Sequence, residues 1–239
     1  MNNGYWDIHN HILPGVDYGS GCMEETVQLI RAEYEQGIEN IVFTPHYRPG
    51  MFQVSPQERE EVFRQVCENV QRRFPEMHFY LGCEYFVHNY MMANLRDVRC
   101  RMAGTEYLLM EFPTNCHFSY IHNVISRLLK VGYKPIIAHI ERYVCLSLDT
   151  NRVNMLKDLG ALIQINAGSV LGKSGITKKR FCSEVLKEEL VDFIASDAHN
   201  VDRRPVQMAE CMKKVEKKFG SLYMERLFRK NPAKIFEKT

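Results

Sequence analysis

Seven short apolar runs in this chain each finish in a residue able to bind a metal, and that recurrence restricts its fold more than any other feature. The runs are Tyr5 to His11, Asn40 to His46, His78 to Glu84, Tyr107 to Glu111, Pro135 to His139, Leu162 to Asn166 and Asp192 to Asp197. With His9, His46, Glu84, Glu111, His139, Asn166 and Asp197 as markers, the successive gaps are 37, 38, 27, 28, 27 and 31 residues. Each gap holds one strand, one helix and two loops. Parallel strands joined by right-handed helical crossovers place all their C-termini on one face, where closed (β/α) barrels carry their active sites. Five of the nine histidines, His9, His11, His46, His139 and His199, stand at such ends beside Glu84, Glu111 and Asp197. Imidazole and carboxylate are ligands for divalent metals, so the pattern predicts an α/β barrel with a polynuclear metal site at one end.

The spacing within the runs sharpens this expectation. His9-Asn10-His11 puts two imidazoles on one side of a strand with Asp7, which is expected to orient one of the rings, and Asp197-Ala198-His199 repeats the geometry on the seventh strand. Glu84 and Glu111 end apolar strands, where an unpaired carboxylate is costly to bury and a cation removes the cost. His78, His88, His117 and His122 precede strands or lie on helices and read as structural or solvated. Oxygen and imidazole donors without a thiolate favour manganese, iron or zinc. Several such ions together suit hydrolysis of a phosphate ester, because they bind its oxygens, generate a metal-bound hydroxide and stabilise the leaving group. Arg48, Arg142 and Arg204 follow the second, fifth and seventh ligand groups and are candidates to meet the phosphate.

Helical segments are predicted between the strands. Glu24 to Gln36 stops at Gly37, and Ser55-Pro56-Gln57-Glu58 is a capping box with proline at the first helical position. His117 to Val131, Val153 to Leu159 and Lys178 to Leu190 follow, and Val206 to Phe219 with Leu222 to Arg229 are expected to close the barrel bottom or its edge. Cys67 to Arg73 has the C-x5-R spacing of cysteine-dependent phosphatases, but it lies within an amphipathic helix, lacks phosphate-loop glycines and places Glu68 beside the thiol. Core packing is the expected role of Cys67.

Residues 1–239 read as a single domain, long enough for one barrel. A net charge of +2, with basic and acidic residues interspersed, argues against a dedicated nucleic-acid surface. No window approaches the ~18 apolar residues needed to span a bilayer, and Met1 to Trp6 does not resemble a secretory signal. Eight scattered cysteines without CxxC spacing read as free thiols in a reducing cytoplasm.

Six segments together resemble the PHP (polymerase and histidinol phosphatase) superfamily, and within it the metal-dependent protein-tyrosine phosphatases of the CpsB/CapC type. They are Asp7 to Asp17, Thr44-Pro45-His46, Gly82-Cys83-Glu84, Glu111-Phe112-Pro113, Ile137 to Arg142 and Ala195 to Asn200. The resemblance implies a distorted seven-stranded (β/α) barrel with up to three ions, usually manganese. His9, His11, Glu84 and Asp197 would hold the first ion, Glu84, Glu111 and His139 the second, and Asp17, His46 and His199 the third. Arg142 and Arg204 match positions similar to the family's phosphate-binding arginines. It also implies a phosphotyrosine-bearing bacterial tyrosine kinase of capsule or exopolysaccharide synthesis as partner. The chain departs from the family at Tyr18, where a second aspartate usually follows the first. Two alternatives accompany this reading: a small-molecule phosphatase of the histidinol-phosphate type, and a degenerate barrel that keeps metal as a regulatory subunit.

Overall fold

A computed structural model of the chain describes residues 4–52, 54–88 and 91–237, so Met1 to Asn3 of the Met1 to Trp6 stretch lie outside the described residues. In it the strand-like runs become nine parallel segments: β1 (Tyr5–Asp7), β2 (Ile38–Phe43), β3 (His46–Tyr47), β4 (His78–Leu81), β5 (Glu84–Phe86), β6 (Tyr107–Glu111), β7 (Lys134–Ile137), β8 (Leu162–Asn166) and β9 (Phe193–Ala195). They pair in the orders β1-β2-β4 and β3-β5-β6-β7-β8-β9. Two of the expected strands are thus broken, and the breaks have a local cause. Pro45 has no N–H to continue the ladder from β2 into β3. The partner strand breaks beside it at Gly82 and Cys83. The Gly82 N–H still donates to the Phe43 carbonyl at 2.7 Å and the Glu84 N–H to that of Pro45 at 3.1 Å, so main-chain bonds join the two arrays.

The first and last strands meet beyond their ends. Asp197 N–H donates to the His9 carbonyl at 2.8 Å and His11 N–H to that of Ala198 at 2.7 Å. These bonds belong to the segments after β1 and β9, so His9 and His11 stand in an extended loop and not, as expected, on the strand itself. The sheet curls as a result.

Alternation along the strands sorts side chains onto its two faces. On β6, Leu108 and Met110 join the large outer core against the helices, while Leu109 turns inward. The inner cluster contains Trp6, Ile8, Val42, Ile136 and Phe193, and Ile235 from the C-terminal helix Asn231–Phe236 joins it. Trp6 stacks on Phe236 with ring centroids 4.6 Å apart, Tyr5 Oη donates to Glu225, and Asn231 donates to the Asp192 carbonyl at 3.0 Å. The end of the curled sheet opposite the metal-ligand candidates is thus plugged by Asn231–Phe236 and the 226–230 turn before it, whereas Met208–Phe219, expected to help close the barrel, packs against the helices Ala167–Leu171 and Ser221–Glu225.

The connecting helices follow the sequence signals closely. Pro56–Val70 begins with the predicted reciprocal cap, Ser55 accepting from Glu58 N–H and Glu58 accepting from Ser55 N–H. Phe118–Lys130 presents Ile121, Val124, Ile125 and Leu128 to the core at helical spacing. Cys67 sits within Pro56–Val70, and burial, with Glu68 next to it, pushes its thiol up to about 11. A thiol so protonated is a packing group and not a nucleophile.

Candidate metal centre

His9, His11, Glu84, His139, Asp197 and His199 are almost wholly buried in one cluster at the C-terminal ends of the strands, with His46 beside them and Glu111 at the edge. The geometry of the imidazoles shows what they face. His9 Nδ1 lies 3.2 Å from Gln164 Oε1, His11 Nδ1 lies 2.8 Å from Asp17 Oδ2, and His199 Nδ1 lies 3.0 Å from the Asp197 carbonyl. An oxygen acceptor at Nδ1 keeps a proton there and turns Nε2 to the shared space, where it offers a lone pair once its own proton leaves. The Nε2 atoms of His9 and His11 then come within 3.3 Å of each other. Glu84 Oε1 is 3.4 Å from His9 Nε2 and 2.6 Å from His139 Nε2, while its Oε2 is 3.1 Å from His11 Nε2 and 2.9 Å from His46 Nδ1. Asp197 Oδ1 is 3.6 Å from His9 Nε2 and 3.5 Å from His11 Nε2.

Acceptors thus gather on acceptors. Glu84 Oε2, Glu111 Oε2, Asp197 Oδ1 and His46 Nδ1 are buried with no hydrogen-bond partner. Leaving such atoms unmatched costs about 1–3 kcal/mol each, and more for charged groups. Shared cations satisfy all four at once. Three groups have donor atoms within 4.8 Å of one another: His9, His11 and Glu84; His46, Glu84 and Glu111; and His11, His46 and His199. The residues present fit divalent ions of the oxygen- and nitrogen-binding kind.

The cation-free electrostatics agree. Burial alone lowers the pKa of His11, but Asp17 and Glu84 outweigh it and raise the ring from 6.5 to about 10; His9 is raised in the same way by Glu84 and Asp197. Burial, then the Glu84 charge, pushes Glu111 up to about 7. His139 falls to about 4 through burial and the nearby Arg142. Without cations the cluster holds itself together by borrowing protons.

Other residues support the ligands. The Asp17 oxygens accept from His46 N–H at 2.9 Å and Gly19 N–H at 2.8 Å besides meeting His11, so Asp17 orients that ring and stands outside the three groups. Gly19 has no alternative here, because a Cβ on it would lie 1.9 Å from the His11 carbonyl oxygen. Asp7, expected to orient a ring, instead accepts from His9 N–H, Asn10, and the N–H and hydroxyl of Ser196, holding together the segments after β1 and β9. The ring-orienting role belongs to Gln164, whose Oε1 also accepts from His139 N–H at 2.7 Å. Its signal in the sequence is a buried amide between Ile163 and Ile165 on β8, where only an obligatory partner makes a polar side chain tolerable.

Asp197 Oδ2 is bound by Arg142, by Arg204 at 2.5 Å and by Asn166 at 2.6 Å. Arg48 stacks over the ring of Phe86 at 4.0 Å, on the strand that carries Glu84. His139 and Asp197 have left-handed backbones, φ 34° and 52°, turning both side chains sharply off their strands. Tyr18, half exposed, reaches His46 Nε2 with its hydroxyl at 2.5 Å, and Phe52 stacks on the His46 ring at 5.5 Å.

Comparison with known proteins places this arrangement. The chain is 34% identical over 237 residues to the tyrosine-protein phosphatase CpsB of Streptococcus agalactiae, covering 97% of this chain and 98% of that protein. It is 32% identical over 216 residues to the tyrosine-protein phosphatase YwqE of Bacillus subtilis, covering 90% and 85%. A solved chain from the work on YwqE of B. subtilis and CpsB of Streptococcus pneumoniae, described there as unique metal-dependent tyrosine phosphatases, superposes with a TM-score of 0.90 at 31% identity, covering 98% of this chain and 95% of that one. The phosphotriesterase homology protein of Escherichia coli, 12% identical with a TM-score of 0.65, shares the fold alone. The family model for capsular polysaccharide synthesis proteins CpsB/CapC matches residues 5–237, and the chain belongs to that family.

Proposed function

We propose that this protein is a metal-dependent protein-tyrosine phosphatase, with residues 1–239 acting as one PHP-type domain. The observation that carries the reading is the convergence of unpartnered carboxylate oxygens and imidazole nitrogens in a chain whose relatives bear that name. Counting β2–β3 and β4–β5 each as one interrupted strand gives a distorted seven-stranded barrel with its ions at the strands' C-terminal ends. His9, His11, Glu84 and Asp197 would hold one ion, and Glu84, Glu111 and His139 a second with His46 at its edge. His46 and His199 would hold a third, with Asp17 acting through His11. Manganese is the expected ion, with iron or zinc compatible with the same donors.

Bound cations supply Lewis acidity to the phosphoryl oxygens and acidify a water. Arg142 and Arg204 sit with their guanidiniums against Asp197 and would take two further phosphoryl oxygens, in the bidentate manner suited to phosphate. Tyr18 and Phe52 form an aromatic wall beside His46, and the half exposure of Tyr18 leaves the mouth open to a tyrosine on a peptide. That openness favours phosphotyrosine over a small phosphate metabolite such as histidinol phosphate, for which a deep pocket is expected. A bacterial tyrosine kinase of capsule synthesis is the proposed partner, and the eight free thiols suit a cytoplasmic setting. No helix among the described residues is long and apolar enough to cross a membrane.

The test measures metal content together with turnover of a phosphotyrosine peptide and of histidinol phosphate, for wild type and His139→Ala, after chelation and readdition of manganese. Activity that disappears with the metal and returns with it supports the reading. Turnover surviving complete chelation sinks it, and a preference for histidinol phosphate transfers the protein to the small-molecule class.

A further inference from the structure

Two cavities share one stretch of chain, the first reaching the edge of the metal cluster and the second standing apart from it. The first, about 300 Å³, opens beside Asp197 and is bordered by Arg142, Arg204, Lys173 and Arg203. The second, about 190 Å³, is an apolar pit formed by Val170, Ile176, Leu186 and Phe219. The segment from Gly168 to Ile176 runs between them, contributing Gly168, Lys173 and Ser174 to one and Val170 and Ile176 to the other.

Charge continues across that segment. Lys179, Arg180, Lys214 and Lys218 ring the pit. None of them, nor Lys173 or Arg203, makes an ion pair among the described residues, whereas Arg142 and Arg204 are paired with Asp197. Asp202 is the single other carboxylate bordering the first cavity. Burial and the charges of Lys179 and Lys218, only partly offset by Glu210, depress Lys214, whose ammonium donates to the Val170 carbonyl at 2.8 Å. Crowded cations that outnumber the carboxylates near them repel one another and are relieved by an anionic ligand.

We propose that this track binds an acidic stretch of the substrate polypeptide flanking the phosphotyrosine, with one apolar side chain of that stretch seated in the pit. The inference rests on the phosphatase reading. The size of the pit decides the occupant: it is below the roughly 300–1,000 Å³ typical of small-molecule sites, and suits a single side chain.

The test uses the full chain loaded with its metal and two phosphotyrosine peptides of equal length, one flanked on both sides by Glu-Leu-Glu and the other by Ser-Ala-Ser. Two or three solvent-exposed ion pairs predict kcat/KM about tenfold higher for the acidic peptide at low salt, expressed in KM. High salt should erase the difference. In the double variant Arg180→Glu, Lys218→Glu the preference should vanish while turnover of a small aryl phosphate holds, and Lys214→Met should weaken it in part. Equal kcat/KM for both peptides in the wild type, or a preference surviving in the double variant, overturns the proposal. So does sedimentation with phosphatidylglycerol vesicles that the double variant abolishes while peptide charge has no effect, which would assign the track to a membrane surface. Should no aryl phosphate be turned over, the phosphatase reading fails by itself, and fluorescence anisotropy with the labelled acidic peptide still decides whether the track binds it.

Discussion

The two ends of the space inside the curled sheet are built on opposite principles. At the bottom, Trp6, Val42, Leu109, Ile136, Phe193 and Ile235 bury hydrocarbon against hydrocarbon, and the packing stabilises itself. At the top, a few residues farther along the same strands, His9, Glu84, His139 and Asp197 bury charge and lone pairs that face one another. Residues of that kind are not placed together for stability, since unmatched buried acceptors weaken a fold.

Substitutions at each end should therefore have separable consequences. The largest effect is expected at the top: Glu84→Gln removes the carboxylate that touches His9, His11, His46 and His139, and should lower kcat by about 10³-fold or more, the scale of losing a principal electrostatic contact. Activity assays with elemental analysis would show the loss, while thermal unfolding of the cation-free protein should change far less. At the bottom, Trp6→Ala should do the reverse. It should cost about 3–5 kcal/mol in urea unfolding, the range for a buried aromatic, with metal bound per folded chain unaltered. If Trp6→Ala instead empties the metal site while the chain stays folded, the two ends are not independent.

Gln164→Leu tests the bond that joins strand to ligand. Loss of an outer partner to a ligating histidine typically costs 10–100-fold in affinity, and titration of the cation-free protein with manganese should show that range. The pH dependence has a defined sign. His11, raised to about 10, and His9, also raised, hold protons near neutrality, so incoming ions must expel them. Affinity should rise with pH, by about tenfold per unit for each proton displaced, and calorimetry in buffers of different ionisation enthalpy counts those protons. The raised pKa of His11 also stabilises the cation-free fold below 6.5, and that contribution is lost as pH climbs through about 10. Affinity that is flat between pH 6 and 9 would show that His9 and His11 are already free of protons. The smallest change expected is at Tyr18, where Tyr18→Asp restores the second carboxylate usual in the family and should tighten the third ion and raise turnover a few-fold, an effect on the scale of one modest polar contact. Unaltered metal stoichiometry and rate would remove Tyr18 from the account.

Much of this was legible in the chain before any coordinates, for a physical reason. Metals accept few side-chain types, and a parallel α/β topology repeats its strand ends at regular intervals, so His9, His46, Glu84, Glu111, His139 and Asp197 stand out by chemistry and spacing together. The capping box at Ser55 and the amphipathic C-terminal helices were equally readable, because their causes lie within a few residues. Roles that depend on a distant partner were not. Asp7 looked like the residue to orient a ring, but Gln164, 155 positions from His9, holds that place.

The amino-acid order by itself determined the donor set, the rhythm of the strands and the apolar end that balances the polar one, since each follows from local composition and period. Only the folded molecule decided which imidazole nitrogen faces the shared space, that Asp17 holds His11 while Tyr18 reaches His46, and that β2–β3 and β4–β5 break where they do. Hydrogen-bond direction is set by whichever atom arrives opposite, and the chain brings those atoms together only when the sheet curls.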